Sequence, residues 1–246
     1  MSLKQLISTT LLSINLMILS VSCGSEDDST TLDDPFEDLP VSNEFDGNYV
    51  GVALNTVDVQ LGEMEISVSN GDVSGQYRFF DFGEGSGQES ISGSVKDGGR
   101  LFFPLGEGVE NEISIRDGII TGTWSDPEEE GVVRGALYVP DLDGRYSGQF
   151  IVQNPASENE TTWSIDVQGG IVRGVIETEN NSTPGSLRGY SAQLASGDNI
   201  FIYQVDGGGA LTFPRATLTV SQEGVIDGFF VDATGIGGMV TGTKEQ

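Results

Sequence analysis

Residues 113–122 read Ile-Ser-Ile-Arg-Asp-Gly-Ile-Ile-Thr-Gly, and residues 218–228 read Leu-Thr-Val-Ser-Gln-Glu-Gly-Val-Ile-Asp-Gly. In both stretches apolar residues alternate with polar ones on either side of a glycine-containing turn. An alternation with period two is typical of a strand that buries one face. The glycine permits the positive φ that a tight hairpin turn requires. Both stretches therefore predict β-hairpins of the same design.

Two further pairs of segments match in the same order. Residues 45–51 (Phe-Asp-Gly-Asn-Tyr-Val-Gly) correspond to residues 142–148 (Leu-Asp-Gly-Arg-Tyr-Ser-Gly), and residues 66–75 correspond to residues 165–174. Repeated order at a fixed spacing indicates an internal duplication. The sequence thus predicts two units, 45–140 and 141–246, each able to fold alone.

A short motif recurs ten times in these units: apolar, polar, Gly, any residue, then usually apolar. Examples run from Val73 to Tyr77 and from Ile120 to Trp124. Period two places each glycine on the same face as its apolar neighbours. A glycine there weakens a flat strand but suits a sharp bend or a bulky side chain crossing the core.

These signals predict an all-β fold, a tandem duplication of an antiparallel meander of about eight strands. We expect each unit to close into a small β-barrel, since closure removes exposed strand edges. Two sandwiches or one larger barrel are the alternatives. A side chain added at an inward glycine is expected to collide with the far wall of the barrel.

The N-terminus has the pattern of an export signal. Lys4 precedes a mostly apolar run at residues 6–19, and Ser20-Val21-Ser22 leads to the single cysteine, Cys23. This resembles the lipobox of bacterial lipoproteins. The resemblance implies that residues 1–22 are a signal peptide, that Cys23 carries lipid, and that the membrane is a partner through that lipid.

Position 24 holds Gly where the lipoprotein inner-membrane retention signal has Asp, which favours the outer membrane. Ser25-Glu26-Asp27-Asp28 resembles the short acidic signal of surface-exposed lipoproteins. The cell surface is therefore the predicted location, with the periplasmic face as the alternative. Residues 25–44 hold eight acids and no base. Such a segment stays extended and unfolded, so residues 23–44 are predicted to be a disordered, lipidated tether.

The composition excludes several kinds of binding site and active site. The formal charge is −27 with eleven basic residues, whereas nucleic-acid binding needs clustered Lys and Arg; nucleic acid is therefore not an expected partner. Histidine is absent and cysteine occurs once, so His/Cys zinc sites and a Ser-His-Asp triad cannot form. We predict a protein that is not an enzyme and has no cofactor. Since the chain has 38 acids, a carboxylate-pair hydrolase remains an alternative.

One patch is a candidate binding surface for an extracellular protein or a glycan. It consists of aromatic residues beside predicted loops, together with one base: Phe79, Phe80, Phe82, Phe213 and Arg215. Exposed aromatic side chains of this kind often serve recognition. Asp141-Leu142-Asp143-Gly144 has the opening of a calcium loop, but Arg145 and Tyr146 follow in place of oxygen ligands, so turn chemistry explains it better.

Glycine-containing eight-stranded meanders resemble lipocalin-type barrels and the barrel lobes of transferrin-binding surface lipoproteins. Residues 226–238 (Ile-Asp-Gly-Phe-Phe-Val-Asp-Ala-Thr-Gly-Ile-Gly-Gly) resemble the glycine-rich closing strands of the latter. The resemblance is architectural. We predict a binding or adhesion role at the surface, with a lipocalin-like carrier of a small apolar ligand as the alternative.

Overall fold

The structure is a computed structural model, and it describes residues 39–56, 60–81, 85–103, 110–125, 127, 129–152, 161–179, 183–194, 197–204, 215–231 and 237–245. The first eight strands are β1 (Gly47–Asn55), β2 (Gln60–Ser69), β3 (Asp72–Asp81), β4 (Gly85–Lys96), β5 (Arg100–Phe102), β6 (Glu110–Arg116), β7 (Ile119–Ser125) and β8 (Glu130–Leu137). A 3₁₀ turn follows at Pro140–Leu142. The second eight are β9 (Gly144–Val152), β10 (Thr161–Gln168), β11 (Ile171–Thr178), β12 (Gly185–Leu194), β13 (Gly197–Gln204), β14 (Arg215–Val220), β15 (Val225–Val231) and β16 (Gly237–Lys244).

The strands form two closed antiparallel barrels in tandem. Each strand pairs with its neighbours in sequence, β8 returns to pair with β1, and β16 returns to pair with β9. The predicted fold class is confirmed, and both alternatives, paired sandwiches and one larger barrel, are wrong. We call β1–β8 the first barrel and β9–β16 the second barrel.

The repeated Asp-Gly-x-Tyr motif ties the start of each barrel to its second hairpin. In the first barrel, the carboxylate of Asp46 accepts hydrogen bonds from the backbone N–H groups of Asn70 and Gly71, at 2.9 and 3.2 Å. The hydroxyl of Tyr49 donates to the backbone carbonyl of Phe45 at 2.8 Å. One motif thus closes the entry loop and caps the β2–β3 turn.

The second barrel repeats these bonds atom for atom. Asp143 accepts from the N–H groups of Gly169 and Gly170 at 2.9 and 3.0 Å. Tyr146 donates to the carbonyl of Leu142 at 2.7 Å. The Asp143 carboxylate is therefore occupied by a turn, in agreement with turn chemistry as the explanation of the calcium-like segment.

The strand glycines lie where one strand crosses close to its neighbour. Gly122 pairs with Ile113, and a Cβ on Gly122 would lie 2.7 Å from the Cα of Ile113. Three more glycines face a large aliphatic residue of the adjacent strand in the same way: Gly75, Gly174 and Gly228. The expectation that the far wall fills this space is wrong. The backbone of the adjacent strand fills it.

A pair of glycines marks the seam where each barrel closes. Gly51 of β1 pairs with Gly135 of β8, and Gly148 of β9 pairs with Gly242 of β16. Beside each pair, on the next strand, stands a large buried side chain: Met64 in the first barrel. In the second barrel Trp163 takes that place, and its indole ring would lie 2.6 Å from a Cβ on Gly242. The missing side chains make room for this bulky group.

Each barrel encloses its own hydrophobic core. The first core includes Tyr49, Met64, Phe103, Ile115 and Trp124. The second includes Tyr146, Phe150, Trp163, Leu218 and Phe230, and the rings of Phe150 and Phe230 meet edge to face at 5.3 Å between centroids. Aromatic and branched side chains thus fill both interiors.

A third core joins the barrels, which belong to one compact unit. The first barrel contributes the outward-facing residues Val50, Val52 and Leu54 of β1. The second barrel contributes Tyr190 of β12 and Tyr203 of β13, together with smaller neighbours. Val52 and Leu54 are fully buried, so the face of β1 that would meet water in a lone barrel is covered by the other barrel.

The two ends of each barrel differ. At one end the strand connections contain two to four residues, and at the other they contain three to ten. We call these the tight-turn end and the loop end. The β2–β3 turn has φ of 52° at Asn70 and 79° at Gly71, as two-residue hairpin turns of type I′ require. Each barrel begins and finishes at its tight-turn end, where the 138–143 linker also lies.

The last residues of the predicted tether contact the first barrel. Val41 forms a bridge with Lys96, and the N–H of Ser42 donates to the carbonyl of Val95 at 3.0 Å. Residues 40–42 are therefore not free chain, since these backbone groups continue the sheet beside β4. Residues 1–38, which include the signal peptide, Cys23 and most of the tether, lie outside the described residues. Within the described ranges, the chain contains no helix of the length and apolar character needed to cross a membrane.

Candidate binding surfaces

The predicted aromatic patch is described only in part. The backbone places Phe79 and Phe80 at the loop end of β3, paired with Gly87 and Ser86 of β4. Their side chains, and Phe82 and Phe213 altogether, lie outside the described residues. Arg215 opens β14 at the loop end of the second barrel and is exposed. The patch therefore stays a prediction, divided between the two barrels.

A charged cluster lies between the barrels. Glu63 of β2 is 2% exposed, and Arg78 of β3 donates to its Oε1 at 2.8 Å. Arg173 of the second barrel donates to the same oxygen. Glu63 Oε2 is buried with no hydrogen-bond partner among the described residues. One carboxylate thus bridges arginines of both barrels.

Tyr190 and Tyr203 lie in the third core, between the barrels. Tyr190 is almost fully buried, and its ring stacks on Phe201 with 5.0 Å between centroids. Burial is the largest cause that raises the pKa of Tyr190, and the neighbouring Tyr203 is the next largest. The positive charges of Arg134 and Arg215 act on Tyr190 in the opposite direction. The inter-barrel surface therefore combines an apolar core with an arginine-rich margin, in a chain that is otherwise strongly acidic.

A shallow groove of about 420 Å³ crosses the outside of the second barrel on β9, β10 and β11. Its outward side chains form two cross-strand rows. Thr162 pairs with Gln149 on one side and with Glu177 on the other. Ser164 pairs in the same way with Ser147 and Val175. Gly148 and Trp163 also line it. We call it the β9–β11 groove; among the described residues its lining carries hydroxyl groups, one amide and one carboxylate, and no basic side chain.

An apolar stripe adjoins this groove on the same barrel. Phe229 pairs with Met239, and Met239 pairs with Ile151, so the three outward side chains lie side by side across β15, β16 and β9. They are 59%, 49% and 47% exposed. Ile151 is two residues beyond Gln149 on β9, so this end of the stripe lies within roughly 7 Å of the groove along the strand, and Phe229 lies two strands further around the barrel.

A second depression, of about 480 Å³, lies at the tight-turn end of the second barrel. Lys244 Nζ donates to the backbone carbonyl of Asp141 at 2.9 Å and lies 5.4 Å from the centre of the Tyr146 ring. These contacts join the last strand to the linker. Across the described ranges, no group of three or more Asp, Glu, His or Cys side chains is arranged to hold a metal ion.

Sequence reasoning missed the inter-barrel surface and the β9–β11 groove. One signal for the first was present: residues 49–54 read Tyr-Val-Gly-Val-Ala-Leu, with no polar residue on either face. A strand that is apolar on both faces is buried on both. The groove gave no such signal, because outward Ser and Thr are ordinary on any half-buried strand.

No protein-family model and no curated protein sequence matches the chain. Among solved structures, the isotype 1 transferrin-binding protein B of serogroup B Neisseria meningitidis matches at 12% identity and a TM-score of 0.28. The match covers 76% of this chain and 53% of that one, so this chain spans about half its length. Kievitone hydratase of Nectria haematococca matches at 10% identity and a TM-score of 0.23, over 85% of this chain and 94% of that chain. At these TM-scores neither likeness indicates what this chain binds.

Proposed function

We propose that this chain is a lipid-anchored bacterial lipoprotein, displayed at the outer membrane, that binds its ligand on the outside of two filled β-barrels and is not an enzyme. The observation that carries the proposal is the packing of the barrel interiors. Trp163 and Phe103 are 2% and 0% exposed, each within the core of its own barrel. A carrier needs an interior cavity lined by apolar groups, so filled interiors favour binding on outer surfaces.

The point at which the predicted tether joins the first barrel supports display at the cell surface. The predicted tether leads into the tight-turn end of the first barrel, where Val41 and Ser42 are held to the sheet. A lipid on Cys23 would therefore approach from that end, leaving the longer loops at the opposite end of this barrel. A flexible segment of about 20 residues spans roughly 25 Å, enough to hold the barrels clear of the membrane surface.

The test combines lipid labelling with accessibility on intact cells. Metabolic labelling with a clickable fatty acid should mark the wild type but not the Cys23→Ala variant, since the thiol is the acceptor. Protease added to intact cells should digest the wild-type protein. A Cys23→Ala variant labelled as strongly as the wild type would overturn the lipid anchor, and full protection from protease would overturn surface display.

A further inference from the structure

The third core holds the barrels together through contacts that have little directional preference. The first barrel contributes Val50, Val52 and Leu54, and the second contributes Tyr190 and Tyr203. The free energy of such burial follows the apolar area removed from water and is not directional. A small rotation of one barrel on the other would therefore keep much of the burial.

A buried charge lies directly beside this apolar contact. Glu63 of β2 pairs with Val52 of β1, and the Glu63 side chain is 2% exposed. Arg78 of the same barrel and Arg173 of the second barrel both donate to Glu63 Oε1. Charge-assisted hydrogen bonds need a defined distance and angle between donor and acceptor. The bond from Arg173 therefore ties one point on β11 to one point on β2.

Stability alone does not account for a carboxylate at this place. A buried ion pair is often no more stabilising than apolar side chains of similar volume, because removing a charge from water is costly. Glu63 Oε2 is buried with no hydrogen-bond partner among the described residues, so part of that cost is not offset. The side chains of Arg78 and Arg173 are 34% and 44% exposed, so water could solvate both without Glu63. The carboxylate is better explained by the geometry that it imposes.

We propose that Glu63 is a positioning residue, whose bond to Arg173 selects one orientation of the two barrels from those that the third core allows. The third core supplies most of the free energy that holds the barrels together, and Glu63 supplies the direction. A ligand that contacts both barrels then meets surfaces already held in place, which lowers the entropic cost of binding. The inference concerns the arrangement of the barrels and does not depend on the lipid anchor.

The test measures distances between spin labels on the two barrels by double electron–electron resonance. Cys23→Ala removes the one native cysteine of the full chain. Ser90→Cys and Gln149→Cys then place one label on each barrel, at exposed positions. With Glu63 present, the distance distribution should be single and narrow. Glu63→Met replaces the carboxylate by an apolar side chain of similar size, so the distribution should become about twofold broader or more, while the urea midpoint changes little.

Glu65→Met is the matched control. Glu65 lies two residues along β2 on the same face, and its Oε1 lies 3.5 Å from Arg78 Nη1, but its side chain is 50% exposed. This variant should keep the narrow distribution. Labels at Gln149 and Asp227, both exposed residues of the second barrel, should give the same distribution in every variant, which checks that this barrel stays intact.

Arg173→Met is the second variant, and it decides the question if Glu63→Met does not fold. It removes the same bond from the other barrel, so it should broaden the inter-barrel distribution as Glu63→Met does. The proposal is overturned if the folded variants of Glu63 and Arg173 keep the wild-type centre and width. It is also overturned if Glu65→Met broadens the distribution as much as they do.

Discussion

The two barrels share their backbone hydrogen bonds but not the side chains that fill them. Met64 and Trp163 hold equivalent places beside the glycine seam. Trp124 on β7 of the first barrel corresponds to Phe230 on β15 of the second, each two residues beyond a strand glycine. Each barrel thus has one tryptophan, on a different strand. The shared Asp, Tyr and Gly residues therefore determine the backbone arrangement of both barrels. The large core side chain can lie on a different strand in each barrel, because cores tolerate substitutions that keep their total volume.

Separating the barrels should have the largest effect. Fragments 45–140 and 141–246 each keep a complete barrel but expose the third core. Uncovering Val50, Val52 and Leu54 of the first barrel removes burial worth roughly 1.5–3 kcal/mol per side chain. We expect both fragments to show β-rich circular dichroism with clearly lower unfolding midpoints than the whole chain, and to associate when mixed. Midpoints equal to that of the whole chain would mean that the third core contributes nothing.

Replacing equivalent strand glycines by valine tests whether neighbouring strands approach equally closely in the two barrels. Gly122→Val and Gly228→Val each force a side chain against the adjacent strand's backbone, and overpacking of this kind typically costs about 1–3 kcal/mol. Both variants should lower the free energy of unfolding by similar amounts in urea titrations. Thr121→Val is the control: Thr121 is exposed, so this change should be nearly neutral. A midpoint for Gly122→Val at or above wild type would show that no close approach exists.

The two tryptophans sharpen the difference between the cores. The indole N–H of Trp124 donates to the carbonyl of Leu54 at 3.1 Å. The indole N–H of Trp163 is buried with no partner among the described residues. Trp124→Phe loses a hydrogen bond that Trp163→Phe does not, so it should cost about 0.5–1.5 kcal/mol more. If chemical denaturation shows that Trp163→Phe loses as much unfolding free energy as Trp124→Phe, or more, the difference in indole hydrogen bonding is contradicted.

Alkaline pH should produce the smallest effect. Burial, and to a smaller extent the negative charge of Glu89, raises the pKa of Tyr77 in the first barrel to about 12. Burial, and to a smaller extent the negative charges of Asp143 and Asp198, raises the pKa of Tyr146 in the second barrel to about 12. In the unfolded chain tyrosine ionises near pH 10, so the unfolded state loses its protons first and stability falls between about pH 10 and 12. Tyr77→Phe should reduce this slope, and an unchanged slope would contradict burial of that hydroxyl.

Much of the fold could be predicted because its signals are local. Period-two alternation, Asn70-Gly71 and the repeated Asp-Gly-x-Tyr motif act within a hairpin or between neighbouring strands. Contacts between distant segments leave no such mark. Glu63 and Arg173 are 110 residues apart, and nothing beside either one in sequence indicates a partner. The far-wall argument for Gly122 failed for a related reason, since period two gives the face of a residue but not how closely its strand approaches the neighbouring strand.

Titration with a fluorescent fatty acid tests the central claim, that ligands bind outside filled barrels, most directly. The chain has two tryptophans, and both are buried, Trp124 in the first core and Trp163 in the second. An apolar ligand inside either barrel would displace or contact one of them. The account predicts no saturable change in tryptophan emission as the probe is added. Saturable quenching at one probe per chain, lost in Trp163→Phe or Trp124→Phe, would place a ligand cavity inside a barrel and contradict the account.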